Sequence, residues 1–173
     1  MTGVQTCALP ISQAWPSKPV KIVVPFAAGG SVDVTARRVA EYLTAKLGQN
    51  FFVETVLGAS GATGARTVAR APADGYTLLY GTTSVFAINP AVNPNIGYDP
   101  VKDFAPIART FDSAMMLVTH PSVPVKNVSE LVAYAKANPG KLNFGSAGIG
   151  TPMHVTGEMF KDRKSTRLNS SHI

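Results

Sequence analysis

The chain contains 173 residues, of which 45% are hydrophobic and 15% are charged, and its formal net charge is +6. This composition is ordinary for a globular protein with a sizeable core, and no apolar run approaches the roughly 18–20 residues that a transmembrane helix needs. The positive charge does not indicate a nucleic-acid partner, because the basic residues are scattered and the aromatic residues lie mostly within apolar runs.

Strands and helices alternate along the first half of the chain. The near-continuous apolar run Val20–Phe26 predicts a buried parallel strand. Gly29-Gly30 follows, with Ser31 as the expected N-cap of an amphipathic helix that ends at Gly48. The next predicted elements are a strand at Phe51–Val56, a helix around Ala65–Arg70 and a strand at Tyr76–Tyr80.

The second half resumes this alternation after a proline-rich stretch. Two extended runs are predicted near Ile107–Phe111 and Met115–Thr119. Asn127 is the expected cap of the next helix, and Glu130 completes a capping box three residues later. The last predicted elements are a strand at Leu142–Phe144 and a helix with Thr151 as its N-cap and Pro152 at its first position.

The two ends of the chain differ from its middle. Residues 1–14 contain the single cysteine, Cys7, and show no regular hydrophobic period, so we interpret them as artefactual sequence or the remnant of a signal peptide. Residues 162–173 are polar and interrupt an amphipathic pattern after Phe160-Lys161. Both ends resemble translated adaptor sequence and are excluded from fold prediction, and Cys7 therefore carries no information about the redox compartment.

One arrangement recurs along the body of the chain: a strand, a glycine-rich turn and a capped helix. It occurs at Gly29-Gly30-Ser31 and at Gly148–Thr151, and related loops lie at Gly58–Gly64 and Gly81–Ser84. All four loops should lie at the carboxyl ends of strands, where open α/β sheets bind their ligands. The unpaired N–H groups at a helix start and the positive end of the helix dipole suit a carboxylate or a phosphate.

Nucleotide, hydrolase and metal motifs are missing from the sequence. Neither GxGxxG nor GxxxxGK[ST] occurs, and Gly58, Gly61 and Gly64 have the wrong spacing for a dinucleotide fingerprint. Ser146 does not meet GxSxG, because position 144 is Phe. No HExxH and no Cys/His cluster indicates a metal site. Several donor-rich loops without catalytic groups favour binding over a reaction.

Two titratable residues in these loops allow two interpretations each. Asp33, in the first turn of its helix, either favours the helix dipole or orients the glycine loop or a bound water. His154, in the first turn of the last helix, is either a surface or packing residue or a ligand contact.

Five segments together resemble, in chain order, the Bug-type receptors, the extracytoplasmic solute-binding proteins of tripartite tricarboxylate transporters. The segments are WPSKPVKIVVPFAAGGSVDVTAR, VETVLGASGATGA, APADGYTLLYGT, INPAVN…YDPVKDFAPIA and HPSVPVKNVSELVAYAKANPGKLNFGSAGIGTPMHVTGEMF. The likeness covers nearly all of Trp15–Phe160. It departs at Ala28, where the family usually has Pro, at Val32, where Thr is common, and at Thr55-Val56, where Asn-Arg is usual. These changes affect loop stiffness and ligand choice.

The resemblance implies a fold, a function and a location. The fold would be α/β, of the type II periplasmic-binding-protein kind, with the first lobe at 15–118 and the truncated start of the second at 119–161. The protein would be a periplasmic monomer that delivers a small organic acid, a carboxylate or dicarboxylate, to a membrane permease without catalysis, cofactor or metal. Hinge strands would lie near Met116–Pro121.

The resemblance also implies which residues meet the ligand. They belong to the three glycine loops at the carboxyl ends of strands and to the helix starts that follow. The expected ligand-binding residues are Ala28, Gly29, Gly30, Ser31, Asp33, Thr82, Thr83, Ser84, Ser146, Ala147, Gly148, Gly150, Thr151 and His154.

A Rossmann-like α/β enzyme fragment, an oxidoreductase or a hydrolase, is the alternative from another class. Ligand binding without turnover would distinguish the receptor from this enzyme. Because a complete relative of this family has two lobes, we also expect the 173-residue chain alone to be marginally stable and to bind its ligand weakly.

Overall fold

The computed structural model describes residues 15–164 and 169–172. This part of the chain contains five strands and five helices, with a short 3₁₀ turn at Ala59–Gly61 and a π turn at Ser84–Ile88. The strands are β1 (Val20–Val24), β2 (Phe51–Thr55), β3 (Thr77–Leu79), β4 (Asn143–Ser146) and β5 (Asn169–His172). The helices are α1 (Ser31–Leu47), α2 (Ala62–Ala69), α3 (Asn89–Val92), α4 (Val128–Ala137) and α5 (Pro152–Lys164).

The first three strands form a parallel sheet in the order β2-β1-β3. In its register Ile22 lies opposite both Val53 and Leu78. Because β1 is paired on both sides and covered by helices, its Val and Ile side chains form the centre of the core. Val20, Ile22 and Val24 pack with Ala36 and Ala40 of α1, and this α/β layering confirms the predicted fold class.

Local chemistry accounts for most element boundaries. β1 ends before Pro25, which has no N–H to continue the ladder. The prediction of Ser31 as the N-cap of α1 is wrong: Gly30 is the cap, with extended backbone, and Ser31 is the first helical residue. Gly48 ends α1 in the left-handed conformation, as predicted. α2 begins at Ala62, three residues earlier than expected, because the turn at Ala59–Gly61 already leads into it.

The two extended runs predicted within 107–119 are not strands in the described residues. Met116 and Val118 are 85% and 76% exposed. An apolar extended segment becomes a strand only where another strand satisfies its N–H and C=O groups. No strand of the described part pairs with this one, and the predicted hinge strands near Met116–Pro121 are therefore not formed.

A second, smaller unit follows this segment. β4 pairs in parallel with β5, with Asn143 opposite Asn169, and α5 continues to Lys164. Residues 162–164 and 169–172 of this unit belong to the C-terminal end that was excluded from fold prediction. The expected boundaries of the two lobes and of the two chain ends stay predictions. No helix of the described residues is long and apolar enough to cross a membrane.

The predicted N-cap at Asn127 is present, whereas the return bond from Glu130 reaches the N–H of Lys126 and not that of Asn127 as in a standard capping box. Asn127 Oδ1 accepts a hydrogen bond from Glu130 N at 2.9 Å, and Glu130 Oε2 accepts one from Lys126 N at 2.6 Å. Leu131 and Ala135 of this helix are buried.

Replacing Asn127 by alanine removes the acceptor that satisfies the Glu130 N–H. We expect Asn127→Ala to lower the free energy of unfolding by about 1 kcal/mol, measured by urea denaturation followed by circular dichroism. Ser129→Ala in the same turn is the matched control, because Ser129 is exposed and the cap acceptor belongs to Asn127. Equal stability of Asn127→Ala and the wild type would contradict a stabilising role for the cap.

Candidate functional site

A cleft of about 1020 Å³ opens at the carboxyl ends of the sheet strands. Its walls are the loop after β1, the turn at 57–61, the loop after β3 and the extended segment at 106–115. Ala147 and Thr151–Met153 close the remaining side. The cleft therefore lies where parallel strands of an open α/β sheet place their ligands.

The structure brings only part of the expected ligand-binding set to the cleft wall. Five of these residues line the cleft: Ser31, Thr82, Thr83, Ala147 and Thr151. The other nine do not line the cleft: Ala28, Gly29, Gly30, Asp33, Ser84, Ser146, Gly148, Gly150 and His154. Asp33, Ser84 and Ser146 are buried.

The start of α1 presents unpaired backbone donors beside the cleft. The first intrahelical bond runs from Val34 N to Gly30 O at 2.9 Å, so the preceding N–H groups of the helix have no intrahelical partner. Gly29 adopts a positive φ of 80°, which favours glycine there. The positive end of the α1 dipole therefore lies at Ser31, the first residue of the helix, which lines the cleft.

Asp33 holds this glycine turn in place. The residue is 3% exposed, and Oδ2 accepts hydrogen bonds from Gly29 N at 2.9 Å and from Arg37 Nε at 3.0 Å. The hydrogen bond from Arg37, followed by that from Gly29, lowers the pKa of the carboxyl below its ordinary value. Of the two interpretations of Asp33, orientation of the loop is the one that these contacts support.

A lowered pKa makes the contribution of Asp33 depend on pH in one direction. Its stabilisation is complete above the ordinary Asp value of about 4 and is lost as the pH falls through the lowered value. We expect Asp33→Asn to lower Tm at pH 7, and the difference from wild type to shrink as the pH approaches 3. Glu41→Gln, at a largely exposed position of the same helix, should leave Tm unchanged at pH 7. A constant difference between Asp33→Asn and wild type across this range would contradict the linkage.

The loop after β3 contributes a hydroxyl that the protein itself does not use. Thr82 lines the cleft, and its Oγ1 is buried with no hydrogen-bond partner among the described residues. The backbone oxygen of Thr82 accepts from Val85 N at 2.9 Å, which starts the helical turn. A buried hydroxyl without a partner is costly, so this oxygen is an unsatisfied polar group in a residue of the cleft wall.

The last wall comes from the loop before α5. Thr151 caps this helix as predicted, since its Oγ1 accepts from His154 N at 3.3 Å, and it donates to Gly148 O at 2.7 Å. His154 lies within α5 and is not among the residues that line the cleft. Its Nε2 is 3.9 Å from Glu158 Oε1, one turn further along the helix.

Several cleft residues were missed by the sequence interpretation. Phe26, Phe86 and Phe111 supply rings to the wall, and Phe111 stacks on Tyr80 with ring centroids 6.2 Å apart. Arg109 also lines the cleft, where it pairs with Asp112 at 2.6 Å. Nothing in the sequence places these residues together, because they come from a strand end, a helical turn and an extended segment.

Glycine loops at strand ends, a largely apolar cleft and the start of helix α1 thus lie together at one edge of the sheet. The model of the family described as tripartite tricarboxylate transporter family receptor matches residues 35–173. The chain belongs to this family. No group of three or more metal-ligating side chains occurs in the described ranges.

Curated relatives and solved structures agree with this assignment. The chain is 38% identical over 162 residues to a UPF0065 protein and 35% identical over 164 residues to Protein BugT, both of Bordetella pertussis. Each alignment covers 94% of this chain, but only 49% of the length of the UPF0065 protein and 50% of that of BugT. The chain thus spans about half the length of the curated relatives it matches.

Two solved structures of Rhodopseudomonas palustris proteins share the fold. Rpa4515 with adipate is 34% identical with a TM-score of 0.81, and MatC with bound malate is 31% identical with a TM-score of 0.82. The alignments cover 92% of this chain and 53% and 54% of those chains. These similarities give no support to the Rossmann-like enzyme.

Proposed function

We propose that the chain is the first half of a periplasmic receptor that captures a small carboxylate or dicarboxylate and delivers it to the membrane permease of a tripartite tricarboxylate transporter. The observation that carries the proposal is the cleft wall, where the donors at the start of α1 and the unpartnered Thr82 hydroxyl lie beside one cavity. That structures of relatives are described with adipate and with malate supports a carboxylate ligand.

The cleft suits an organic acid with an apolar body. Its neutral donors would hold a carboxylate through backbone N–H and hydroxyl groups, as helix starts commonly do. The rings of Phe26, Phe86 and Phe111 would pack against the carbon chain. Arg109 is paired with Asp112 in an exposed ion pair, so in this proposal the neutral donors, and not Arg109, recognise the carboxylate. Binding through neutral donors would allow the ligand to be released again to the permease.

We propose binding without turnover, by a monomer that needs no cofactor or metal. The loops that line the cleft offer donors and apolar surface. Ser146, the serine that fails the GxSxG motif, is a buried residue of β4. Recovery of the complete gene would provide the protein for the decisive experiment.

Calorimetry of the complete protein tests this function. We expect saturable binding of adipate or malate at one site, no heat with NAD⁺, and both acids unchanged by NMR after long incubation. NAD⁺ binding, or conversion of either acid, would favour the enzyme instead. Absence of binding across a panel of mono-, di- and tricarboxylates would overturn the receptor proposal.

The 173-residue chain alone is a separate arm of the same experiment. We propose that it melts with low cooperativity and binds these acids weakly, because the extended segment at 104–120 has no partner strand among the described residues. A cooperative melt with a clear upward shift on addition of C4–C6 dicarboxylates would contradict this.

A further inference from the structure

The turn at Ala59–Gly61 contacts the loop before α5 on the other side of the cleft. Ser60 Oγ donates a hydrogen bond to the backbone oxygen of Ile149. A Cβ at Gly148 would lie 3.5 Å from the same hydroxyl oxygen. The two partners are 89 residues apart in sequence and belong to the two different lobes that the family resemblance implies.

Asn89 joins both sides of this contact. It is 4% exposed, and its Nδ2 donates to Ser60 O at 2.9 Å. Its Oδ1 occupies the space that a Cβ at Gly150 would need, and Gly150 has a φ of +83°. A larger residue at 150 would therefore push the loop away from Asn89.

The turn that carries Ser60 adopts an unusual backbone. Ala59 and Ser60 have φ values of 47° and 52°, the left-handed region that L residues adopt only at a cost. Such conformations persist where surrounding contacts hold them, and they concentrate at functional sites. Here the contacts are the Asn89 bond to the Ser60 carbonyl and the Ser60 bond to Ile149.

We propose that Ser60 and Asn89 are positioning residues that fasten the second-lobe loop 147–151 across the cleft and so slow the departure of a bound ligand. Ser60 itself lines the cleft, as do Ala147 and Thr151 of the fastened loop, so the contact joins two parts of the cavity wall. The effect on ligand retention rests on the proposed function, whereas the fastening of the loop does not.

Hydrogen exchange tests the fastening without any ligand. A single neutral hydrogen bond is worth about five- to tenfold in an equilibrium constant. We therefore expect Ser60→Ala to speed amide exchange in the 147–151 loop about five- to tenfold and to leave the β1 amides unchanged. Ser17→Ala, which removes an exposed hydroxyl bonded to Tyr76, is the matched control and should leave the loop unchanged.

Two further variants separate the hydroxyl from the backbone of the turn. Ser60→Gly accepts the left-handed conformation without cost but lacks the hydroxyl, so it should behave like Ser60→Ala. Asn89→Ala should also speed loop exchange, whereas Asn93→Ala at an exposed position should not. The proposal would be overturned if the 147–151 loop of Ser60→Gly exchanged its amides at the wild-type rate. It would also be overturned if Ser60→Ala accelerated amide exchange in β1 as much as in the loop.

Ligand retention is measured on the complete protein with adipate and malate. We expect Ser60→Ala to raise the dissociation rate about five- to tenfold with little change in the association rate, as followed by stopped-flow fluorescence. An unchanged dissociation rate would overturn the retention role. If the wild type binds neither these acids nor any other carboxylate of the panel, the proposed function fails and the retention role with it, and the exchange experiment still decides the fastening of the loop.

Discussion

Replacing Gly64 by valine lowers the free energy of unfolding by about 2–3 kcal/mol, the cost of overpacking a tight interior contact. Gly64 lies in α2 where the helix crosses the end of β1. A Cβ there would lie 2.8 Å from Pro25 Cβ and 3.1 Å from Val56 O. Neither neighbour can move easily, because one is a ring fixed to the backbone and the other is a backbone carbonyl.

The Gly64→Val effect is measured by urea denaturation and has a matched control. Gly145→Ala adds a Cβ at a position with no heavy atom within 4 Å, so its unfolding free energy should stay within about 0.5 kcal/mol of wild type. Gly64→Ala should fall between the two, since alanine favours a helix but still meets Pro25. Equal stability of Gly64→Val and Gly145→Ala would contradict the close packing of α2 on β1.

Replacing Thr82 by valine should weaken carboxylate binding and stabilise the ligand-free protein at the same time. Removal of a buried hydroxyl without a partner should raise the free energy of unfolding by about 1 kcal/mol. The same change removes a donor to the ligand carboxylate in the proposed site. A hydrogen bond to a charged group is worth about 1.5–3 kcal/mol, so affinity should fall about 10- to 100-fold.

The opposite signs of these two effects make the Thr82 experiment specific. Adipate affinity is measured by calorimetry and stability by urea denaturation, both on the complete protein. Thr67→Val is the matched control, because its exposed hydroxyl bonds to Thr63 O within α2, and it should leave affinity unchanged. If Thr82→Val bound adipate with wild-type affinity, the Thr82 hydroxyl would not be part of the binding site.

Elements with strong local signals could be predicted from the sequence. β1 and α1 follow from an apolar β-branched run and a helical hydrophobic stripe. The caps at Asn127 and Thr151 also follow, because capping depends on residues three positions apart. The misplaced N-cap at Ser31 shows the limit of this rule. Gly30 takes the cap position without a side-chain bond, while Asp33 fixes the turn from inside the helix.

Contacts between distant segments could not be predicted in this way. Ser60 lies in a loop that was recognised for its glycines, but its bond to Ile149 depends on how the two loops meet. The rings of Phe26, Phe86 and Phe111 come from three elements with no common pattern. The apolar run at 107–119 favours strands, yet a strand forms only where a partner backbone lies beside it.

The sequence by itself determined most of the strands and helices, where glycine turns interrupt them, and to which family their order belongs, but it wrongly favoured strands at 107–119. These properties depend on backbone preferences and short-range hydrogen bonds, which neighbouring residues control. Only the tertiary structure decided which loop residues surround one cleft, that Thr82 in its wall has an unpartnered hydroxyl, and that Ser60, held by Asn89, bonds to Ile149. Such juxtapositions depend on packing between segments far apart in the chain, and a local pattern of residues does not specify which distant segment packs beside it.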